Sequence, residues 1–247
     1  MPRVPERGSR VIALGVAGAP APKRLTTCFR LTEGIALDTG AAAHGLSVQE
    51  RGKLETVFLS HAHLDHTLGL PFLLAENELT VYGLQSTLDA VRENLLDGRT
   101  WPDLADRAEW HEIDVGDAVT LGGLTIEAGP AEHTVPCLSY VISQGEQRLA
   151  IVGDTRFSPN VAAWAAAQRP TACVVEVSYP DGLAEIADRF GHQCPLHLEH
   201  WRHALGADCP IYITHVKPAH EVTVRAECGV LSDPNLVLLS DGDEVPY

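Results

Sequence analysis

Short runs of apolar residues alternate with longer amphipathic stretches along the chain, a pattern typical of an α/β sandwich. The apolar runs are rich in Val, Ile and Leu, and each ends at a polar residue or Gly, as buried strands do. They predict strands at residues 11–14, 35–37, 57–59, 149–152, 173–177 and 211–213. The amphipathic stretches predict helices at residues 84–96, 161–167, 195–205 and 218–228. Gly122 and Gly123 predict the turn of a hairpin between strands at 118–121 and 124–128.

No internal repeat or low-complexity linker divides the chain, and its 247 residues lie near the upper end of what one hydrophobic core supports. We therefore expect one domain over residues 1–247. No apolar run approaches the roughly 18–20 residues that a membrane-spanning helix needs, so a membrane protein is not expected. Arg3, Arg7 and Arg10 precede the first apolar run and imitate a secretory signal, but Gly15 and Gly18 interrupt it. A first strand is the preferred interpretation.

Cysteine usage and net charge narrow the class of protein further. The six cysteines are widely spaced and form no CxxC pair, which argues against a zinc ribbon or a thioredoxin-type site. Free thiols in the cytoplasm are expected, with the periplasm as the alternative. The formal net charge of −15 argues against a polymeric nucleic acid as partner, because Lys and Arg usually neutralise its phosphates. A small anionic substrate would need positive charge from bound cations.

Polar side chains follow four of the predicted strands at or soon after the point where each strand ends. These residues are Asp38, His61, Asp154 and His215. A strand buried on both faces cannot carry a charged ligand in its middle, but the loop that follows it can. In open α/β sheets, binding sites form where such strand ends meet. The pattern therefore predicts one shared pocket.

The segment after residues 57–59 contains an HxHxDH cluster, formed by His61, His63, Asp65 and His66. Imidazole nitrogen and carboxylate oxygen are ligands that suit zinc and similar divalent ions. Alternate side chains of an extended backbone share a face, so His61 and His63 can bind the same ion. Asp65 and His66 lie where the loop turns into a helix and can reach a second ion. The alternative, surface histidines in a loop, is disfavoured by the rarity of this pattern.

Three later residues complete the expected ligand set, namely His133, Asp154 and His215. In the simplest partition, one ion has His61, His63 and His133, the other has Asp65, His66 and His215, and Asp154 is shared. Each ion then keeps a position for water, as catalytic zinc does. Two divalent ions bring four positive charges, and Asp65, Asp154 and a bridging hydroxide bring three negative ones. The remaining charge of about +1 suits a phosphodiester monoanion.

At these residues the sequence resembles the metallo-β-lactamase superfamily, and within it the class II cyclic-nucleotide phosphodiesterases. Residues 61–70 are similar to the HxHLDHxxGL signature of the phosphodiesterases. Further similar segments lie at residues 82–84, 86–90, 101–104, 176–179, 191–195 and 215–218. The resemblance covers about residues 11–220, nearly the whole chain.

The resemblance implies a four-layer αββα sandwich that hydrolyses a 3′,5′-cyclic nucleotide, cAMP or cGMP, to the 5′-monophosphate. Two divalent ions about 3.5–4 Å apart would lower the pKa of a bridging water, whose hydroxide attacks phosphorus. Zinc is the expected metal, and manganese and iron are alternatives. Asp65 also orients the nucleophile in this scheme. A homodimer is a further implication.

The resemblance also implies that the leaving oxygen takes its proton from His192, which is paired with Glu176. The alternative is that His192 caps the helix that starts near residue 195. Asp38 is expected to accept a hydrogen bond from a ligand histidine or a loop amide, with a turn residue before Gly40 as the alternative. Lys217 is expected to contact the phosphate, or else to face water at a helix start.

Arg156-Phe157 and Gln193-Cys194 depart from the family pattern. The resemblance therefore predicts the substrate less well than it predicts the chemistry. Three alternatives stay open at this stage. The first is another small phosphodiester, a cyclic sugar phosphate, or an RNA 3′ end. The second is a lactam or thioester hydrolase, which the Glu176–His192 pair disfavours. The third is a redox or metal-binding protein with iron in the same pocket.

Overall fold

The computed structural model describes residues 9–99 and 101–247. In these residues, fourteen strands form two seven-stranded sheets. The first sheet contains β1 (Arg10–Gly15), β2 (Cys28–Arg30), β3 (Ile35–Leu37), β4 (Thr56–Phe58), β5 (Leu79–Gly83), β6 (Ala108–Glu112) and β14 (Asp243–Pro246). The second contains β7 (Ala118–Leu121), β8 (Leu124–Pro130), β9 (Leu138–Gln144), β10 (Gln147–Ile151), β11 (Ala172–Glu176), β12 (Ile211–Thr214) and β13 (Leu236–Leu238).

Helices cover the outer face of each sheet. The helices of the first half are α1 (Ala42–Gly45), α2 (Val48–Arg51), α3 (Leu64–Thr67), α4 (Leu70–Glu76) and α5 (Gln85–Leu95). Those of the second half are α6 (Pro159–Ala167), α7 (Ala184–Arg189), α8 (Leu198–Leu205) and α9 (Glu221–Val230). No helix of the described residues is both long and apolar enough to cross a membrane.

The two sheets are built in the same way. The first has the order β14-β1-β2-β3-β4-β5-β6, and the second has the order β13-β12-β11-β10-β9-β8-β7. Strands β3 to β6 are parallel, whereas β14, β1, β2 and β3 pair antiparallel. Likewise β10 to β13 are parallel, whereas β7 to β10 pair antiparallel. Each sheet therefore combines a meander with a crossover-connected half.

Three apolar cores separate the layers. The central core lies between the sheets and includes Phe29, Phe58 and Tyr140. A second core packs the first sheet against α4 and α5, and a third packs the other sheet against α6 and α8. Strands β3, β4, β11 and β12 are buried along their whole length because both faces are covered. The predicted αββα sandwich is confirmed.

The predicted elements agree with the structure, with small differences at their ends. The first strand is present as β1; Arg3 and Arg7 lie outside the described residues. The Gly122-Gly123 turn has positive φ at both residues, 59° and 80°, as a two-residue hairpin turn of this kind requires. The predicted helices at 195–205 and 218–228 each begin with a 3₁₀ turn that starts at a proline. All six cysteines are free thiols.

The arrangement of the strands explains why the expected ligands converge. Strands β3 and β4 are parallel, as are β10, β11 and β12, and β8 runs in the same direction as β10 because both pair antiparallel with β9. The carboxyl ends of these strands meet along one edge of the sandwich. The loops that follow them therefore face a common space.

The Tyr140 hydroxyl donates a hydrogen bond to the Leu59 carbonyl (2.9 Å) and so connects the two sheets inside the central core. We expect Tyr140→Phe to lower the free energy of unfolding by about 1–3 kcal/mol, because a buried carbonyl loses its donor. Tyr212→Phe is the matched control: Tyr212 belongs to the same core, and its hydroxyl has no hydrogen bond in the described residues. Urea unfolding with chelator present measures both; equal losses would contradict the prediction.

Candidate metal centre

Seven side chains from four segments of the chain meet at the shared edge. His61 and His63 lie on the loop after β4, and Asp65 and His66 lie on the short helix α3 that follows. The other three follow strands of the second sheet, His133 after β8, Asp154 after β10 and His215 after β12. Residues far apart in the sequence are thus neighbours because parallel strands end together.

The first group is His61, His63 and His133, with one ligand atom of each within 4.8 Å of the others. His63 Nδ1 lies 3.1 Å from His133 Nε2. The Nε2 atom of His61 is buried and has no hydrogen-bond partner in the described residues. A buried nitrogen without a partner is costly unless something else binds it. A cation held by the three imidazoles would account for this atom.

The second group is Asp65, His66 and His215, which also lie within 4.8 Å of one another. His66 Nε2 and His215 Nε2 are 3.2 Å apart, and His215 Nε2 lies 3.2 Å from Asp65 Oδ2. This group adds a carboxylate to two imidazoles. The composition again suits a divalent cation.

Asp154 lies between the two groups. Its Oδ2 atom is 3.1 Å from His215 Nε2, 3.4 Å from His66 Nε2 and 3.8 Å from His61 Nε2. The side chain is buried, so its negative charge is costly unless positive charge lies close to it. The structure thus brings all seven expected residues together, and both expected groups are among the sets of neighbouring ligand atoms. Their function as metal ligands stays a prediction.

Burial keeps the imidazoles of the first group uncharged. It lowers the pKa of His61 and His63, and it lowers the pKa of His133 to about 4. A neutral imidazole retains the lone pair that binds a metal. The donor atoms, the unpartnered His61 nitrogen and the neutral imidazoles of this first group therefore fit a divalent cation.

The Nδ1 atoms of His66 and His133 are held by acceptors outside the seven. Asp38 Oδ2 accepts from His66 Nδ1 (2.7 Å), and the Gly191 carbonyl accepts from His133 Nδ1 (2.9 Å). These bonds leave the Nε2 atoms free for a cation. Asp38 also accepts hydrogen bonds from the amide and hydroxyl of Ser60, so the expected supporting role agrees with its contacts.

Two serines hold the imidazoles of His61 and His215, and the sequence did not reveal them. Ser60 Oγ lies 3.0 Å from His61 Nδ1, and Ser178 Oγ lies 2.9 Å from His215 Nδ1. Ser60 directly precedes His61, and Ser178 belongs to a segment similar to the phosphodiesterases. Their positions next to recognised motifs were the only indication in the sequence that these two serines belong to the site. The Gly191 carbonyl left no such signal, since a backbone acceptor is independent of residue type.

Gly191 itself is required by its close approach to His133. Its φ is 72°, and a Cβ atom at this position would lie 2.6 Å from His133 Nδ1. A side chain would therefore push the imidazole away from the centre and strain the backbone.

His192 and Glu176 form a buried pair beside the centre. His192 Nδ1 lies 3.2 Å from Glu176 Oε1 and 3.9 Å from Asp154 Oδ2. Burial raises the pKa of Glu176 to about 8 and lowers that of His192 to about 4, so the pair favours one shared proton over two charges. Ser178 donates to the other oxygen of Glu176 (2.9 Å). His192 does not cap the following helix, where Cys194 is the capping residue.

Other candidate residues have structural contacts. Lys217 is half-buried at the start of a short 3₁₀ helix, where its Nζ donates to the Gly18 carbonyl (3.0 Å) and lies 5.5 Å from the Tyr179 ring centroid. Its expected contact with phosphate stays a prediction. Phe157 stacks on His197 and contacts the tilted ring of His200. Among the described residues, every group able to hold a metal belongs to the centre above or includes His192.

Comparison with known proteins shows the family of the chain. Residues 36–207 match the model of the beta-lactamase superfamily domain. A probable 3′,5′-cyclic-nucleotide phosphodiesterase of Yersinia pestis is 26% identical over 271 residues, which cover 85% of this chain and 79% of the relative. Ribonuclease BN of Cronobacter sakazakii is 33% identical over 103 residues, which cover 39% of this chain and 33% of the relative.

A solved structure shows the same fold. Unliganded yeast PDE1 superposes with a TM-score of 0.78 at 16% identity, covering 98% of this chain and 100% of that protein. The chain belongs to the metallo-β-lactamase superfamily.

We expect Asp38→Asn to weaken metal binding about 10- to 100-fold, because an amide cannot accept from His66 and from both Ser60 donors at once. Competition with a fluorescent chelator measures the affinity. Asp233→Asn is the control, since Asp233 accepts from Arg202 and from the Asn235 amide outside the centre. Unchanged affinity of Asp38→Asn would show that this contact does not orient His66.

Proposed function

We propose that this chain is a phosphodiesterase with two divalent metal ions that hydrolyses a 3′,5′-cyclic nucleotide to the 5′-monophosphate. The observation that carries the proposal is the pair of three-residue groups facing one carboxylate, Asp154, with His192 and Glu176 alongside. The similarity to the Yersinia pestis phosphodiesterase over most of both chains supports it.

Two ions are proposed because each group supplies three ligands and Asp154 faces both. His61, His63 and His133 would hold one ion; Asp65, His66 and His215 would hold the other. Zinc suits this set of imidazole nitrogens and carboxylate oxygens, and manganese and iron are alternatives. When bound, such ions attract phosphate oxygens and lower the pKa of water.

The residues around the two groups have separable functions in this proposal. Asp65 is more exposed than its neighbour His215, with 21% of its side chain accessible, so its carboxylate can also orient a water molecule. His192 uses Nδ1 to contact Glu176, and its Nε2 has no hydrogen bond in the described residues. That nitrogen is available to protonate the leaving oxygen. Glu176 holds the ring in place and exchanges the proton with it.

The proton donor is the feature that favours a phosphodiester. The leaving group of a cyclic nucleotide is a ribose alkoxide, which departs poorly without a proton. A thioester has less need of such a donor, because its thiolate leaves without protonation. The Glu176–His192 pair is buried at the edge of the centre, where general acid catalysis requires it.

The charge of the chain favours a small substrate. Its net charge of −15 repels an extended nucleic acid, whereas two ions attract one phosphodiester locally. An RNA 3′ end is the second candidate, and the local identity with ribonuclease BN is the observation in its favour. That similarity covers 33% of the relative, so the cyclic nucleotide stays the preferred substrate.

We expect purified protein to contain two divalent ions per chain and to hydrolyse bis-p-nitrophenyl phosphate and a cyclic nucleotide. Dialysis against chelator should remove both activities, and zinc or manganese should restore them. Metal analysis by mass spectrometry gives the stoichiometry, with a thioester as the control substrate. Turnover of the thioester without phosphodiester turnover would overturn the proposal.

We expect His192→Ala to lower kcat/KM for a cyclic nucleotide about 10²–10⁴-fold, because the alkoxide loses its proton donor. The loss should be much smaller for bis-p-nitrophenyl phosphate, whose nitrophenolate leaves without protonation. His197→Ala is the matched control, since His197 stacks on Phe157 and lies outside the two metal groups. Equal losses on both substrates would assign His192 to structure rather than proton transfer.

A further inference from the structure

An open cavity adjoins the metal centre on the side of His133. Its volume is about 510 Å³, and it is lined by residues 131–137 and by Arg156. The volume lies within the range of about 300–1,000 Å³ that is usual for small-molecule sites. His133 belongs both to the first metal group and to the cavity wall. A substrate whose phosphate lies at the centre can therefore place its remaining part in this cavity.

Backbone and hydroxyl contacts fix the position of Arg156 on the cavity wall. Its amide donates to the Glu132 carbonyl (2.8 Å), and its own carbonyl accepts from the Thr155 hydroxyl (2.8 Å). The Glu132 amide in turn donates to Thr155 Oγ1 (2.9 Å). These bonds connect the loop after β10 to the loop after β8. Arg156 is thus held next to the centre by the same loops that present Asp154 and His133.

The guanidinium of Arg156 is nearly without partners. It makes one ion pair, with Asp188 at 3.6 Å, and Asp188 has 67% of its side chain exposed. In the described residues it forms no hydrogen bond. An exposed pair of this kind contributes little, so the N–H groups are available to a ligand. The planar guanidinium on the cavity wall can donate two parallel hydrogen bonds, which suits a ligand with two adjacent acceptors.

The other charges around the cavity decide which ligand fits. The Glu132 carboxylate accepts from the Ser158 hydroxyl, and the Asp188 carboxylate lies beside Arg156. Two carboxylates and one guanidinium give this part of the cavity a net negative charge. It would therefore repel a further phosphate group of a ligand. A neutral group with acceptors for Arg156 avoids this repulsion. The bases of nucleotides are neutral groups of this kind.

We propose that Arg156 is a specificity-determining residue that recognises the guanine base of the substrate, an inference that rests on the proposed cyclic-nucleotide hydrolysis. Guanine presents two neighbouring acceptors, O6 and N7, which a guanidinium contacts with two hydrogen bonds. Adenine presents N7 beside the N6 amino group, a donor that opposes the N–H groups of arginine. Arg156 therefore favours cGMP over cAMP.

The ratio of kcat/KM for cGMP to that for cAMP tests the proposal. We expect the wild type to favour cGMP on the order of tenfold to a hundredfold, and Arg156→Gln to abolish or invert the preference. Glutamine can pair with N6 and N7 of adenine, which gives the direction of the change. Cyclic IMP has O6 and N7 without the 2-amino group, so it should follow cGMP. A cIMP rate equal to that of cAMP would overturn the assignment.

Binding of products gives a readout that is independent of turnover. Isothermal titration should show 5′-GMP binding more tightly than 5′-AMP to wild type, by on the order of tenfold, and equally or less tightly to Arg156→Gln. Arg10→Gln is the matched control, because Arg10 also forms one exposed ion pair, with Glu244, at the far end of β1. It should keep the preference for GMP.

The outcomes separate the two proposals. If the wild type hydrolyses phosphodiesters but treats guanine and adenine nucleotides alike, or if Arg156→Gln keeps the wild-type preference, the guanine assignment is wrong. If no phosphodiester is hydrolysed, the proposed function fails, and the titrations with GMP and AMP still decide whether Arg156 recognises guanine.

Discussion

The centre depends on one buried carboxylate placed among imidazoles. Asp154 contacts His66 and His215 closely and lies near His61, and it has almost no access to water. A carboxylate in such surroundings is costly unless positive charge compensates it from both sides. The fold meets this requirement by ending several parallel strands at one edge, so that ligands from both sheets surround the same atom. The helices, the apolar cores and the strand order hold these strand ends together.

Much of the fold and the seven expected ligands could be predicted from the sequence because the signals are local. Buried strands such as Ile35–Leu37 and Ala172–Glu176 appear as apolar runs, and the HxHxDH cluster lies directly after one of them. The assignment of His61 and His63 to one ion followed from the alternation of side chains in extended backbone. The supporting contacts were less accessible. The Gly191 carbonyl acts through the backbone, and Ser178 acts through a proximity that only the folded chain creates.

The position of Arg156 is a similar case. In the sequence it was only a departure from the family pattern, with no indication of what it contacts. The structure shows that the loop carrying it is hydrogen-bonded to the loop carrying His133. A residue two positions after Asp154 therefore lines the cavity next to His133 of the first metal group. Local sequence cannot reveal that Arg156 lies beside the loop after β8, because that neighbourhood depends on the pairing of β8, β9 and β10.

The division of ligands between the sheets has a consequence for biosynthesis. The first sheet contributes His61, His63, Asp65 and His66, whereas His133, Asp154 and His215 come from the second. The ions would therefore act as a cross-link between the halves of the sandwich, and their binding free energy would add to the docking of those halves. A chain emerging from the ribosome cannot complete the second group until β12 has been synthesised. Metal capture would accordingly be a late event, coupled to closure of the sandwich.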